Sequence, residues 1–237
     1  MRLALFGATG RAGGAILRES RAAGHDVRAL VRSPGALSGD DPRITVTAGD
    51  ARDPAATRRM VDGADAVVSA IGGTRAGNLA VLRDGTAVIL GAMQRAGVRR
   101  LIVIQGFHLP FPGDPGNLGA AAMRVMLRLW NRYLSADSYQ MAEALRGSDL
   151  DWTLIRMPRL TGGPAGADYR TGQLALGPWS TVTTGQVAHF SLTCLDTGGF
   201  VRQAPMIATA RQRPRGPAQA PGRLREPSPV APNRPHS

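Results

Sequence analysis

Apolar residues along the chain gather in short runs, separated by stretches in which they recur at helical spacing. Arg2 to Phe6 reads as a strand and Arg11 to Ala23 as an amphipathic helix stopped by Gly24. "HDVRALVR" and "RITVTAGD" follow as a second and a third strand. Pro54 opens a short helix, with Asp53 placed to cap it. "ADAVVSAIGG" is a buried strand, Asn78 to Ala96 a long helix closed by Gly97, and "RRLIVIQG" a fifth strand. Strands alternating with helices in this way predict an α/β fold, a doubly wound parallel sheet with helices on both faces.

Past Gly106 the rhythm loosens. "FHLPFPGDPGNLG" is a loop dense in Pro and Gly, followed by two helical stretches, Ala120 to Leu134 and Ala136 to Arg146. Within the first, "MRVMLRLW" presents Met123, Met126, Leu127 and Trp130 at helical spacing, as core or as the wall of a substrate pocket. "DWTLIRMP" reads as a sixth strand, "TTGQVAHFSLTCLD" as a helix, and "APMIATA" as a last, edge strand. From residue 210 on, Pro, Arg, Gly, Gln and Ala dominate, and such a segment buries too little apolar surface to offset its chain entropy. The expected organisation is one domain over residues 1–209, ending in a small C-terminal substrate-binding region, and a disordered Pro/Arg-rich tail over 210–237.

Composition narrows the function classes. The formal charge of +12 is carried by arginine alone, for the chain contains no lysine, and Arg211 to Ser237 holds six arginines against one glutamate. Aromatic residues are few and not interleaved with the arginines, so the charge argues for a compositional bias rather than a nucleic-acid surface. No apolar stretch approaches the roughly 18 uncharged residues that span a bilayer. "MRLALFGATG" lacks the cleavage pattern of a secretion signal, and the single Cys194 cannot pair internally. A cytoplasmic location is the expectation. Cys and His pairs at zinc spacing are lacking, so no metal site is expected.

The chemistry begins in "LFGATGRAGGAI". Gly7, Gly10 and Gly13 fall in the first strand-to-helix turn, with Thr9 and Arg11 between them. A helix N-terminus with bare backbone suits a pyrophosphate, which gains from free N–H groups and from the positive end of the helix dipole. In this position, opening a βαβ unit, the glycines point to a dinucleotide. The second strand ends in "ALVRSP", where an acidic residue would favour the free ribose hydroxyls of NADH; Arg32 stands there instead, matched to the 2′-phosphate of NADPH. Asp50, ending the third strand, and the Ala51 backbone are placed for adenine, while Ala70, Ile71 and Gly72 end the fourth strand where the chain passes the cofactor.

Together "GATGRAG", "ALVRSP", "AGDARDP", "SAIGGTR" and "SDLDWTLIRMPRLTGG" resemble the atypical short-chain dehydrogenase/reductases with an NAD(P)H-binding domain. Among these the chain is most similar to the small NmrA-like and biliverdin-IXβ/flavin reductase-like members. The resemblance implies a single Rossmann-type domain, NADPH as cofactor in preference to NADH, and a substrate held above the nicotinamide. This sequence departs from the pattern in telling places. The usual Tyr-x-x-x-Lys pair is replaced by Tyr139 and Glu143, and arginine cannot exchange the proton that lysine helps to move. The serine and the histidine of the flavin reductase-like members are replaced by Gly106 and Arg159.

Gln105, His108, Tyr139 and Arg159 are what remains around the expected nicotinamide. His108 and Tyr139 are candidates for proton transfer, and Arg159 for stabilising charge on a reduced substrate. This points to an NADPH-dependent reductase of a planar or conjugated acceptor, such as a flavin, a quinone, an enone or a tetrapyrrole-like molecule, whose product solvent can protonate. Two alternatives stay open: a non-catalytic, NADP(H)-sensing NmrA-like regulator, and an NAD-dependent epimerase or dehydratase. The expected partner is a small-molecule acceptor, taken up by a monomer or a homodimer.

Overall fold

The computed structural model describes residues 1–33, 35–37, 41–72, 81–115, 132–177 and 179–210. The alternating strands and helices fold into a central sheet flanked on both faces. Strands β1 (Arg2–Phe6), β2 (Asp26–Val31), β3 (Ile44–Ala48), β4 (Ala66–Ser69), β5 (Arg100–Gly106) and β6 (Asp151–Met157) run parallel. Near the C-terminus come β7 (Arg159–Thr161), β8 (Tyr169–Gly172), β9 (Thr181–Thr183) and β10 (Met206–Thr209). The main sheet has the order β3-β2-β1-β4-β5-β6-β10-β8, and β7 and β9 form a small parallel sheet of their own. This is the Rossmann-type doubly wound α/β architecture.

Register follows from the two-residue period of apolar side chains. In β1, Ala4 and Phe6 enter one core while Leu3 and Leu5 enter the other; in β5, Leu101 and Val103 oppose Ile102 and Ile104 in the same way. A one-residue slip would exchange both sets, so burial of about 1.5–3 kcal/mol per large side chain fixes the pairing. One core is closed by α2 (Pro54–Val61), α3 (Val81–Ala96) and α4 (Arg132–Arg146), through Met60, Ile89, Met93, Met141 and Leu145. The other is closed by α1 (Arg11–Ala22) and α5 (Thr184–Thr197), which pack on each other and contribute Ile16, Leu17, Phe190 and Leu192 to this core.

Several sequence expectations need correction. The C-terminal strand is not at the edge: β10 lies between β6, to which it is parallel, and the antiparallel β8, which takes the edge. Strands β7, β8 and β9 were not foreseen. The second of two expected helices is continuous from Arg132, with no break at Ser135. The start of the first, with its Met123, Met126, Leu127 and Trp130, lies outside the described residues, as do Asn78 and the chain from Arg211 on. Ala210 is described, and its N–H donates to the Asp168 carbonyl at 3.2 Å. No described helix is long and apolar enough to cross a membrane.

Candidate functional site: a glycine-lined cleft at the switch in strand order

The strand order reverses between β1 and β4, and crevices of doubly wound sheets open at such a point. There the first turn is built from glycine for three different reasons. Gly7 has φ of +80°, and a Cβ would stand 2.5 Å from the Ala70 carbonyl oxygen on β4's continuation. At Gly13 a Cβ would stand 2.1 Å from the Gly7 oxygen, so glycine brings α1 down onto its own turn. Gly10 is looser: among the described residues beyond its chain neighbours, a Cβ there would meet only the Gly7 oxygen, at 3.2 Å. Gly10 is also the N-cap of α1, which has no side-chain cap and no acidic residue in its first turn. An uncapped helix end with its positive dipole unopposed favours an anion.

A cleft of about 250 Å³ opens beside this turn. Gly7, Thr9 and Gly10 line it from the turn, Arg32 from the end of β2, Asp50 and Ala51 from the end of β3, and Ala70, Ile71 and Gly72 from the end of β4. Gly13, Arg11 and Gln105 are outside the lining; Arg11 stands exposed at the first position of α1. Phe6, Leu30, Val31, Gly49 and Val81 also line the cleft and were not anticipated. Gly49 had a readable signal in "AGD": a Cβ there would come 2.7 Å from the Ala56 Cβ, so α2 closes over it.

At the β3 end, Asp50 is clasped by Arg52. Its Oδ1 accepts from the Arg52 backbone N–H at 2.9 Å and from Nε at 3.0 Å, and its Oδ2 accepts from a terminal guanidinium nitrogen at 2.8 Å. The Arg52 hydrogen bonds, helped by the charges of Arg52 and Arg32, hold the Asp50 carboxyl down to about 2. Arg32 itself is exposed at the cleft wall. Asp53 caps α2 as the sequence suggests, accepting from the Ala55 N–H at 2.8 Å.

Beyond the turn, the end of β5 meets α4. The buried Gln105 donates through Nε2 to Ser138 Oγ at 3.4 Å, and its Oε1 accepts from the Gly106 N–H at 2.9 Å. Tyr139, next to Ser138, is half-buried against the core on the α3–α4 side. Gly106 has a steric reason of its own: a Cβ would stand 2.7 Å from Nδ1 of His108, so the imidazole occupies the space a side chain would need. Burial pushes the His108 pKa below its ordinary value of 6.5, and its Nε2 is buried without a partner among the described residues. Arg159 stands exposed on β7, paired in register with Thr181.

Two polar constructions that sequence reasoning missed hold this region in place. Arg156, fully buried on β6, donates to the Leu109 carbonyl at 2.8 Å and the Ala204 carbonyl at 2.9 Å, and grips Asp114 at 2.6 and 2.7 Å. A fifth donation, to Gln173 Oε1 at 3.2 Å, engages the last N–H of the guanidinium. The loop carrying His108 is thereby pinned to the sheet. Asp137, buried on α4, accepts from the Leu82 N–H at 3.0 Å and the Arg83 N–H at 2.9 Å, closing the N-terminus of α3 with a carboxylate. No group of three or more His, Cys, Asp or Glu suited to a metal ion occurs among the described residues.

A family model described as NAD(P)H-binding matches residues 7–198. The chain is also similar in structure to an anaerobillin reductase from Escherichia coli O157:H7, at 18% identity and a TM-score of 0.73, over 90% of this chain and 100% of that one. An oxidoreductase from Lactococcus lactis matches at 19% identity and a TM-score of 0.71, over 89% and 91% of the two chains. A short-chain dehydrogenase/reductase from Veillonella parvula matches at 19% identity and a TM-score of 0.72, over 88% and 94%.

Proposed function

This chain belongs to the NAD(P)H-binding family, and from that premise we propose that it is a reductase using NADPH to reduce a planar, conjugated small molecule of the flavin, quinone or enone type. The observation that carries this reading is the uncapped start of α1 beside a cleft whose β2 wall ends in Arg32. The residues present suit the cofactor: Gly10 leaves backbone room for a pyrophosphate, and Arg32 offers a charged fork to a 2′-phosphate. When bound, the nicotinamide supplies a hydride, that is, two electrons and one hydrogen; the acceptor's second hydrogen arrives as a proton from solvent.

The chain's own groups orient rather than ionise. With its pKa lowered and its Nε2 buried, His108 is neutral at pH 7 and a poor source of a proton for the acceptor. Gln105, fixed between Ser138 and its own chain, ties the end of β5 to α4 one residue before Tyr139. Arg159 is assigned to negative charge that develops on the reduced acceptor. A second reading, a non-catalytic NADP(H) sensor, is favoured by the lack of any lysine to partner Tyr139.

The test is a titration of NADPH and NADH against the wild type and Arg32→Ala, followed by NADPH oxidation with menadione or FMN. The charge-assisted contact of Arg32 is worth about 1.5–3 kcal/mol, roughly ten- to hundredfold in favour of NADPH. That preference should vanish in Arg32→Ala. Equal ratios in both proteins would remove Arg32 from the site, and tight NADPH binding without turnover would favour the sensor.

A further inference from the structure

Asp50 brings a negative charge into a cleft that, on the reading above, receives a 2′-phosphate at Arg32. Left alone, that carboxylate would repel the phosphate, cancel part of the arginine's field, and be free to accept from ribose hydroxyls as the acidic residues of NADH sites do. It is not left alone. Arg52 takes one oxygen with its backbone N–H and Nε and the other with its terminal nitrogen, three bonds of 2.8 to 3.0 Å from a single residue two positions on. Three of the carboxylate's roughly four acceptor positions are thereby occupied. Asp50 lines the cleft, whereas Arg52 approaches it from outside the lining.

We propose that Arg52 is a specificity-determining residue, which neutralises and immobilises Asp50 so that Arg32 presents an uncompensated positive charge to the cofactor's 2′-phosphate. Arg52 acts through Asp50 and is a positioning residue. The inference rests on the NADPH reading and adds to it a second residue that sets the preference. Arg32 and Asp50 both line the cleft, and the Arg32 charge adds a small lowering of the Asp50 pKa to the larger one from Arg52.

The experiment measures NADPH and NADH dissociation constants for wild type, Arg52→Ala, Asp50→Asn and Arg52→Ala/Asp50→Asn, with melting temperatures to verify folding. Adenine contacts contribute equally to both cofactors, so the ratio of the two constants reads the 2′-phosphate alone. Arg52→Ala should lower the NADPH preference about two- to fivefold, chiefly through NADPH, as expected for one unpaired charge at an exposed site. The loss should shrink in 0.5 M salt, where screening falls to about 4–5 Å. Removing the uncovered charge in the double variant should restore the ratio, although Arg52 is still missing. Equal losses for both cofactors would overturn the proposal, making Arg52 a brace of the β3–α2 turn only. An unchanged ratio in Arg52→Ala, or no restoration in the double variant, would overturn it as well. If wild type itself shows no NADPH preference and Arg32→Ala changes nothing, the cofactor reading fails first and is distinguished from failure of Arg52.

Discussion

Gly10 and Gly13 look alike in the sequence, yet space is distributed around them differently. A Cβ at Gly13 would collide with the Gly7 carbonyl at 2.1 Å, whereas at Gly10 the nearest atom is at 3.2 Å. Gly13→Ala should therefore destabilise the fold by about 1–3 kcal/mol, the usual cost of overpacking, and lower the melting temperature. Gly10→Val should keep a near-native melting curve and lose NADPH, because its methyl groups occupy the approach to the helix end. Thermal melts with and without NADPH separate the two cases. Most of the cleft could be read at this scale, since Gly7, Thr9, Gly10, Arg32 and Asp50 were each singled out by type and place and all line it. Leu30, Val31 and Val81 were not, because a strand end or helix start of ordinary apolar residues carries no sign of which atoms stay uncovered. His108 shows the same limit: its contact with Gly106 depends on a loop bend that Pro and Gly announce without specifying.

Among elements, the strongest constraint is the grip of β6 on the loop after β5 and on the segment before β10. Arg156 and Asp114 are almost wholly buried, with side-chain exposures of 0% and 8%. Asp114→Ala should cost about 3–5 kcal/mol in unfolding free energy by leaving the guanidinium buried and unpaired. Asp114→Leu/Arg156→Met should recover much of that loss, as apolar replacements of buried pairs often do; urea denaturation of the three proteins measures both. The first five strands were legible because each is a short run of apolar or β-branched residues bounded by turn residues, and β1, β3 and β4 each lead into a helix. Strands β7, β8 and β9 are three or four residues long, in a segment rich in Gly and Thr, and pair across gaps of twenty residues and more. Their existence is fixed by partners distant in sequence, which local pattern cannot reveal. The same holds for β10, whose interior place depends on β8 arriving to take the edge.

For the whole molecule, the glycine-lined cleft and both cores draw, among the described residues, on positions before 210, and the 27 residues after Ala210 contain only Leu224 and Val230 as large aliphatic side chains. Truncation after Ala210 should leave the melting temperature and NADPH affinity unchanged, with calorimetry and a binding titration as the readouts. A loss of several degrees would give that segment a role in the core. Within the described fold, the two halves of the chain are joined at an unexpected place, the start of α3. Its opening amides, Leu82 and Arg83, are held by Asp137 from more than fifty residues downstream. As the chain leaves the ribosome, the first βαβ units can therefore pair before this carboxylate reaches the third helix. That carboxylate arrives when α4 docks, which makes this bracing of the cleft wall at Val81 a late acquisition, contributed by the half of the protein that carries Tyr139.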